Sequence, residues 1–404
     1  MTPMQVFPRD DNHVNASKSE ILIAGGGIGG LAAALALARK GMRSQVFEKA
    51  AEFGEIGYGL QLGPNAHRML TRLGIAAEVE ATAVFPNALI AIDALTDREL
   101  TRISTGEVFR KHFGGPYMVV HRRDLHGALL DACRKHTEIT LHTSKQLVRF
   151  EDRGTGVIAN FADGSEYVGA VLIGADGLNS CVREKVMGDG APRVSGHVTY
   201  RGVVPVDEIK DKSHFDDMTI WIGPGLHLVQ YRLRGGTVMN NVATFNSPRF
   251  AAGHKVDFGG PEELLEMYSH TTPHVQEMLS YVGKDKNWIL CDREPRPDWS
   301  HGNVTVLGDA AHPTLQYLAQ GAVMAMEDAV VLGEKLSAAN GATPAALLAY
   351  QEERYLRSAR VQITSRIFGE IMHARGGARD LRNHLMSKRN PDHYWEVDWL
   401  YRGI

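Results

Sequence analysis

Cysteine is scarce. Cys133, Cys181 and Cys291 are the only three in 404 residues, with no CxxC pair and no Cys/His spacing suited to zinc. That excludes a disulfide framework and a dithiol redox centre, fits thiols kept reduced in the cytoplasm, and leaves no metal site to expect. Charge of one sign is also missing, since 44 Lys and Arg stand against 47 Asp and Glu for a formal net charge of −3. Neither a basic field for nucleic acid nor a polybasic patch for a membrane is present, so a small organic substrate is the better expectation. Long apolar runs are lacking too. The uncharged stretch 21–38 carries five glycines early and reads as strand, turn and helix rather than as a spanning helix. Residues 1–19 are polar, without the apolar core of a signal peptide, and are expected to be a flexible tail.

Glycine is plentiful, and three of its clusters end strands. Ile21-Leu22-Ile23-Ala24 is a short apolar strand; Leu31, Leu35 and Ala38 repeat at helical spacing until Gly41; Gln45-Val46-Phe47-Glu48 is the next strand. This is a βαβ unit whose right-handed crossover lays both strands in one parallel sheet. Gly25, Gly27 and Gly30 satisfy G-x-G-x-x-G, with Gly29 inside it, the spacing for a tight turn, backbone approach to a pyrophosphate and close helix packing. Glu48 is placed to accept from a ribose hydroxyl, and Lys49 beside it is a second cofactor-binding candidate. This motif alone does not say which dinucleotide.

Ala170-Val171-Leu172-Ile173 runs into Gly174-Ala175-Asp176-Gly177, and Val304-Thr305-Val306-Leu307 into Gly308-Asp309-Ala310-Ala311-His312-Pro313. Asp-Gly taken alone is an ordinary turn. Asp309, however, is suited to accept the hydroxyls of a polyol chain, and a helix from about Gly321, with Ala322, Ala325, Met326 and Ala329 on one face, can aim its N-terminus at negative charge on a reduced flavin ring. Three glycine-anchored signals against one extended nucleotide point to FAD. The expected fold is α/β: a Rossmann-like FAD-binding domain with a parallel sheet from residues 20–84, 118–194 and 286–370, an interleaved antiparallel β-sheet substrate domain from 85–117 and 195–285, and a C-terminal helical segment, 371–404. Tyr394, Trp395, Trp399 and Tyr401 in that segment either cover a subunit interface, in a homodimer, or fold back.

In the order G-x-G-x-x-G, Val120-His121-Arg122-Arg123-Asp124-Leu125, Gly-Ala-Asp-Gly-x-x-Ser-x-x-Arg and Gly-Asp-Ala-Ala-His-Pro, the chain resembles the single-component FAD-dependent aromatic hydroxylases, the p-hydroxybenzoate hydroxylase superfamily, over residues 20–370. The resemblance implies that Arg122 contacts the ribityl-pyrophosphate region, that Asp176 lies in a motif shared by FAD and NAD(P)H, and that Asp309 binds ribityl hydroxyls. One departure stands out. The family's Gly-Gln-Gly-x-Asn is replaced by Ala319-Gln320-Gly321-Ala322-Val323, so the backbone at Gly321 and Ala322 carries over and an amide side chain does not.

Residues 53–65, Gly114-Gly115-Pro116-Tyr117, residues 227–236, residues 312–318 and Asp398-Trp399-Leu400 are similar to members of that family acting on 3-hydroxybenzoate. That likeness implies His227 as the base for the substrate phenol, Gln316 as its hydrogen-bonding partner, and Tyr117 and Tyr231 as pocket residues. It also implies NADH or NADPH as co-substrate, NADH first, dioxygen as the oxidant, and conversion of 3-hydroxybenzoate to gentisate (2,5-dihydroxybenzoate). Decarboxylating salicylate hydroxylation and hydroxynicotinate hydroxylation are the near alternatives; a flavin reductase or dehydrogenase, or a non-enzymatic binding module, are the distant ones. Strand alternation puts His227, Val229 and Tyr231 on one face and Leu226 and Leu228 on the other, and an imidazole near pKa 6.5 suits a base at neutral pH. For any one of eighteen histidines a satisfied structural role is still the default, and His312 beside Pro313 reads as a turn residue.

Overall fold

All-apolar strands can be buried on both faces, and the three that end in glycine motifs lie side by side. The computed structural model describes residues 20–54 and 57–404; the tail expected over 1–19 lies outside them, as do residues 55 and 56. Among the described residues a five-stranded parallel sheet runs in the order Val304–Val306, Val171–Gly174, Ile21–Ala24, Ser44–Phe47, Ile139–His142. Helices Ile28–Ala38 and Gly321–Ala338 pack beside it, Gly333 of the second helix facing Ala36 of the first so closely that a Cβ would sit 3.3 Å from it. Nearly every residue of Ile28–Ala38 is buried, and this is where the largest apolar core lies. The fold is α/β, as expected.

The second layer is a seven-stranded sheet in the order Asn287–Asp292, Arg193–Pro205, Val238–Asn246, Leu226–Leu233, Met218–Gly223, Ala88–Asp93, Glu99–Ser104. Two features differ from expectation. The sheet is mixed, because Met218–Gly223 pairs in parallel with Ala88–Asp93, a long-range contact that alternation within one strand cannot reveal. Asn287–Asp292, grouped above with the FAD-binding segments, pairs instead with Arg193–Pro205 of this sheet. One face of the sheet buries Val198, Tyr200, Trp221, Leu226, Leu228, Ala243 and Phe245 under helices Pro261–Tyr268 and Pro273–Ser280. The opposite face looks onto a cavity.

The C-terminal segment folds back on its own chain. Tyr394 and Tyr401 are buried against Phe109 and Phe113, and Arg68 donates to the Tyr401 carbonyl at 2.6 Å. Tyr394 and Tyr401 thus fold back on the chain's own core, whereas Trp395 stays exposed. Among the described residues no helix is long and apolar enough to cross a membrane.

Candidate active site

One cavity of about 930 Å³ runs from the glycine motifs to the seven-stranded sheet. Gly25, Gly27, Gly29, Glu48, Lys49, Tyr117, Arg122, Asp176, His227, Tyr231, Asp309, Gln316, Gly321 and Ala322 all line it. Of the candidates from the sequence, Gly30 stands behind the wall instead.

At the glycine end the physical demand for each glycine is visible. Gly25 has φ of +112°, and a Cβ there would fall 2.3 Å from the Ala175 carbonyl oxygen of the second motif. A Cβ on Gly30 would fall 1.9 Å from the Gly25 carbonyl oxygen, and one on Gly29 would strike Leu307. Helix Ile28–Ala38 begins at Gly27 with no side-chain cap and no acidic residue in its first turn, so its free N–H groups are open to an anion. Glu48 commits both oxygens to the loop, accepting from the Gly26 and Ala50 amides at 2.9 Å each; a second lone pair on each remains for a ribose hydroxyl.

Asp176 behaves largely as the ordinary turn would. It accepts from the hydroxyl of Ser180 and, at 2.9 Å, from the amide of Cys181, capping helix Cys181–Met187. His312 is a structural residue, buried and 2.6 Å from Asp328, which also takes the Gly308 amide at 2.9 Å and Arg354 at 2.7 Å. Burial would raise the Asp328 carboxyl, but His312 and Arg354 outweigh it and hold it at about 2.

At the sheet end, three parallel rows of cross-strand neighbours form the floor. Thr199, Thr244 and His227 make one row, Arg201, Val242, Val229, Ile220 and Ala91 the next, and Asn240, Tyr231, Met218 and Leu89 the third. Gln316 closes over the first row: its Nε2 donates to Thr244 at 2.8 Å and Thr199 at 3.1 Å, and its Oε1 accepts from Arg201 at 2.9 Å. Both amide protons are thus taken by threonines, leaving one lone pair of Oε1 for a ligand. Tyr117 donates to Gln61 at 2.6 Å.

The family sequence profile described as FAD binding domain matches residues 18–221 and 286–365, more than half of the chain. The chain belongs to the FAD-dependent aromatic hydroxylases. It is 46% identical over 388 residues to 3-hydroxybenzoate 6-hydroxylase 1 of Aquipseudomonas alcaligenes, covering 95% of this chain and 97% of that protein. It is 44% identical over 388 residues to 3-hydroxybenzoate 6-hydroxylase of Polaromonas naphthalenivorans (strain CJ2), covering 96% of each. Among solved structures, a single-residue variant of HpxO of Klebsiella pneumoniae complexed with FAD superposes with a TM-score of 0.84 at 25% identity, over 95% of this chain and 99% of that one.

The hydroxylase cofactor is FAD, and the residues present fit it: glycines where a Cβ would clash, an uncapped helix start beside them, and a second uncapped helix, Gly321–Ala338, whose first residues line the same cavity. The electrostatics correct one expectation. Burial, helped by neighbouring His197, lowers His227 to about 3, so this imidazole is neutral at every physiological pH rather than half-titrated near 6.5. Its Nδ1 lies 2.7 Å from Nε2 of His373. Burial likewise lowers His197 to about 4 and pushes His373 well below the ordinary range.

Several cavity or near-cavity residues carried no sequence signal. Arg201 lies over the rings of Tyr58 and Trp288, and among the described residues no carboxylate is within ion-pair distance of it. Strand alternation with Thr199 was the one available clue. Tyr317 bonds His197, and His373 arrives from the end of helix Pro344–Met372, too far along the chain for any local pattern.

Proposed function

We propose that this aromatic hydroxylase acts on 3-hydroxybenzoate, using NADH, and installs the new hydroxyl para to the existing one to give 2,5-dihydroxybenzoate. The observation carrying this reading is the convergence of a neutral imidazole, His227, a fixed amide, Gln316, and a cation without a carboxylate partner among the described residues, Arg201, on one mostly apolar cavity. Relatives at 46% and 44% identity named for that reaction support it. FAD, when bound, supplies the redox chemistry, accepting hydride from the nicotinamide and activating dioxygen.

The chain's own residues then handle proton, orientation and water. His227 Nε2 accepts the phenol proton; the negative charge left on the ring oxygen is delocalised to the ortho and para carbons, which makes them nucleophilic. Moving a proton from a phenol near 10 to an imidazole near 3 would cost about 9 kcal/mol for independent groups. Pairing of the two charges at contact returns roughly half of that. The transfer is therefore uphill, and ring attack, which consumes the phenolate, draws it forward. Arg201 faces the substrate carboxylate, and Leu89, Ile220, Val229 and Val242 keep water from the reacting ring.

NADH and NADPH oxidation by the holoenzyme with a panel of hydroxybenzoates, with products identified, tests the reading. The expected outcome is 2,5-dihydroxybenzoate from 3-hydroxybenzoate at the highest kcat/KM. Preferred turnover of salicylate with release of carbon dioxide, or of a hydroxynicotinate, overturns it.

A further inference from the structure

We propose that His373 and Asn246 are positioning residues that fix the tautomer of His227, so that Nε2, the nitrogen turned to the substrate, always carries the lone pair. This rests on the reading of His227 as the proton acceptor. The chain of contacts is linear. Asn246 Oδ1 lies 2.5 Å from His373 Nδ1, and His373 Nε2 lies 2.7 Å from His227 Nδ1. An amide oxygen can only accept, so His373 must donate from Nδ1. Its Nε2 is then bare and must accept from Nδ1–H of His227. A neutral imidazole carries one proton, so Nε2 of His227 is left unprotonated.

Burial enforces that sequence. His227 and His373 are 2% and 3% exposed, and the protonated form of either is disfavoured in the low-dielectric interior. Among the described residues His227 Nε2 has no hydrogen-bond partner, while His227 lines the cavity. His197 lies tilted against His373, ring centroids 5.4 Å apart, but bonds Tyr317 and not the pair, so it does not branch the chain. The strand carrying His227 is itself held, because Tyr268 donates its hydroxyl to the His227 carbonyl at 2.5 Å. Proton transfer then breaks the phenol O–H bond and forms the Nε2–H bond, leaving a ring oxyanion and an imidazolium whose Nδ1–H bond to His373 becomes charge-assisted. With the opposite tautomer, Nε2 would present a proton to the phenol and no transfer could begin.

Nitrogen-15 NMR of histidine-labelled holoenzyme reads the tautomer directly, and rapid mixing of reduced enzyme with dioxygen and 3-hydroxybenzoate reads the hydroxylation step. The expected result is an unprotonated Nε2 and a protonated Nδ1 on His227. In His373→Phe both tautomers should appear and hydroxylation should slow about tenfold to hundredfold, with flavin reduction by NADH unchanged. Asn246→Leu, which removes the acceptor, should behave as His373→Phe does and serves if that variant fails to fold. A wild-type His227 protonated on Nε2, or full-speed hydroxylation in both His373→Phe and Asn246→Leu, overturns the inference. His227→Ala separates the two levels: if it leaves hydroxylation untouched, the proton-acceptor reading falls, while the nitrogen shifts still decide the tautomer.

Discussion

Nη1 of Arg183 donates to the carbonyl oxygen of Ala311 at 2.6 Å, and to that of Ala310 at 2.9 Å, so the second glycine motif is bolted to the third. The guanidinium is fully buried and pairs with Asp189 at 2.6 Å. Removing the guanidinium takes the donor from two buried carbonyls and leaves Asp189 with Arg293, at 3.1 Å, as its remaining cation, at a cost of about 2 kcal/mol or more. Arg183→Met should therefore unfold at clearly lower temperature and release FAD on gel filtration where the wild type keeps it. An unchanged melting temperature with full flavin retention would show that the bolt is dispensable.

Glycine substitutions should sort by what the added methyl meets. At Gly30 it would meet the Gly25 carbonyl oxygen at 1.9 Å, a backbone atom that cannot step aside, so Gly30→Ala should be flavin-free or insoluble. At Gly177 φ is +80° but nothing lies within 4 Å of a Cβ, so Gly177→Ala carries only the left-handed penalty of about 1 kcal/mol and should stay yellow. Comparable flavin content in the two would refute the steric account.

Much of this was legible in the sequence because it is local. The βαβ unit and the strand faces follow from periodicities of 3.6 and 2 residues, and His227, Val229 and Tyr231 do share the face turned to the cavity. What was not legible depends on contacts far apart in the chain. Gln316 meets Thr199 and Thr244 across 117 and 72 residues, and His373 meets His227 across 146. The ordinary pKa of His227 misled for the same reason, since its shift comes from burial by elements that only tertiary structure brings together.

Arg201 is a cation at the sheet end of the cavity that a carboxylate would seek, and burial lowers its own pKa by disfavouring its charge. Arg201→Met should raise KM for 3-hydroxybenzoate about tenfold or more while barely changing KM for the uncharged 3-hydroxybenzamide, because a charge-assisted bond is lost only with the acid. Equal losses for acid and amide would assign Arg201 to holding Gln316 rather than to the carboxylate.

Three buried histidines make stability fall in mild acid. His197 is held at about 4, His227 at about 3 and His373 lower than ordinary, in each case with burial as the leading cause. Above about pH 6.5 these rings are neutral both folded and unfolded and contribute no pH dependence. Below that value the unfolded chain takes up protons that the folded protein refuses, so stability drops by up to about 1.4 kcal/mol per pH unit for each ring, until the folded-state values are reached and the loss stops growing. Paired carboxylates such as Asp328, held at about 2, weaken the fold only once pH drops below the ordinary Asp range near 3.9, so above about pH 4 the loss belongs to the histidines. His197→Gln removes one titrating ring and still offers an oxygen to the Tyr317 hydroxyl. Urea unfolding at about pH 7 and about pH 5 should show a loss smaller by about 2 kcal/mol in that variant than in the wild type. Equal losses would mean that His197 takes up its proton in the folded state, and that the interior around it is not as dry as its packing requires.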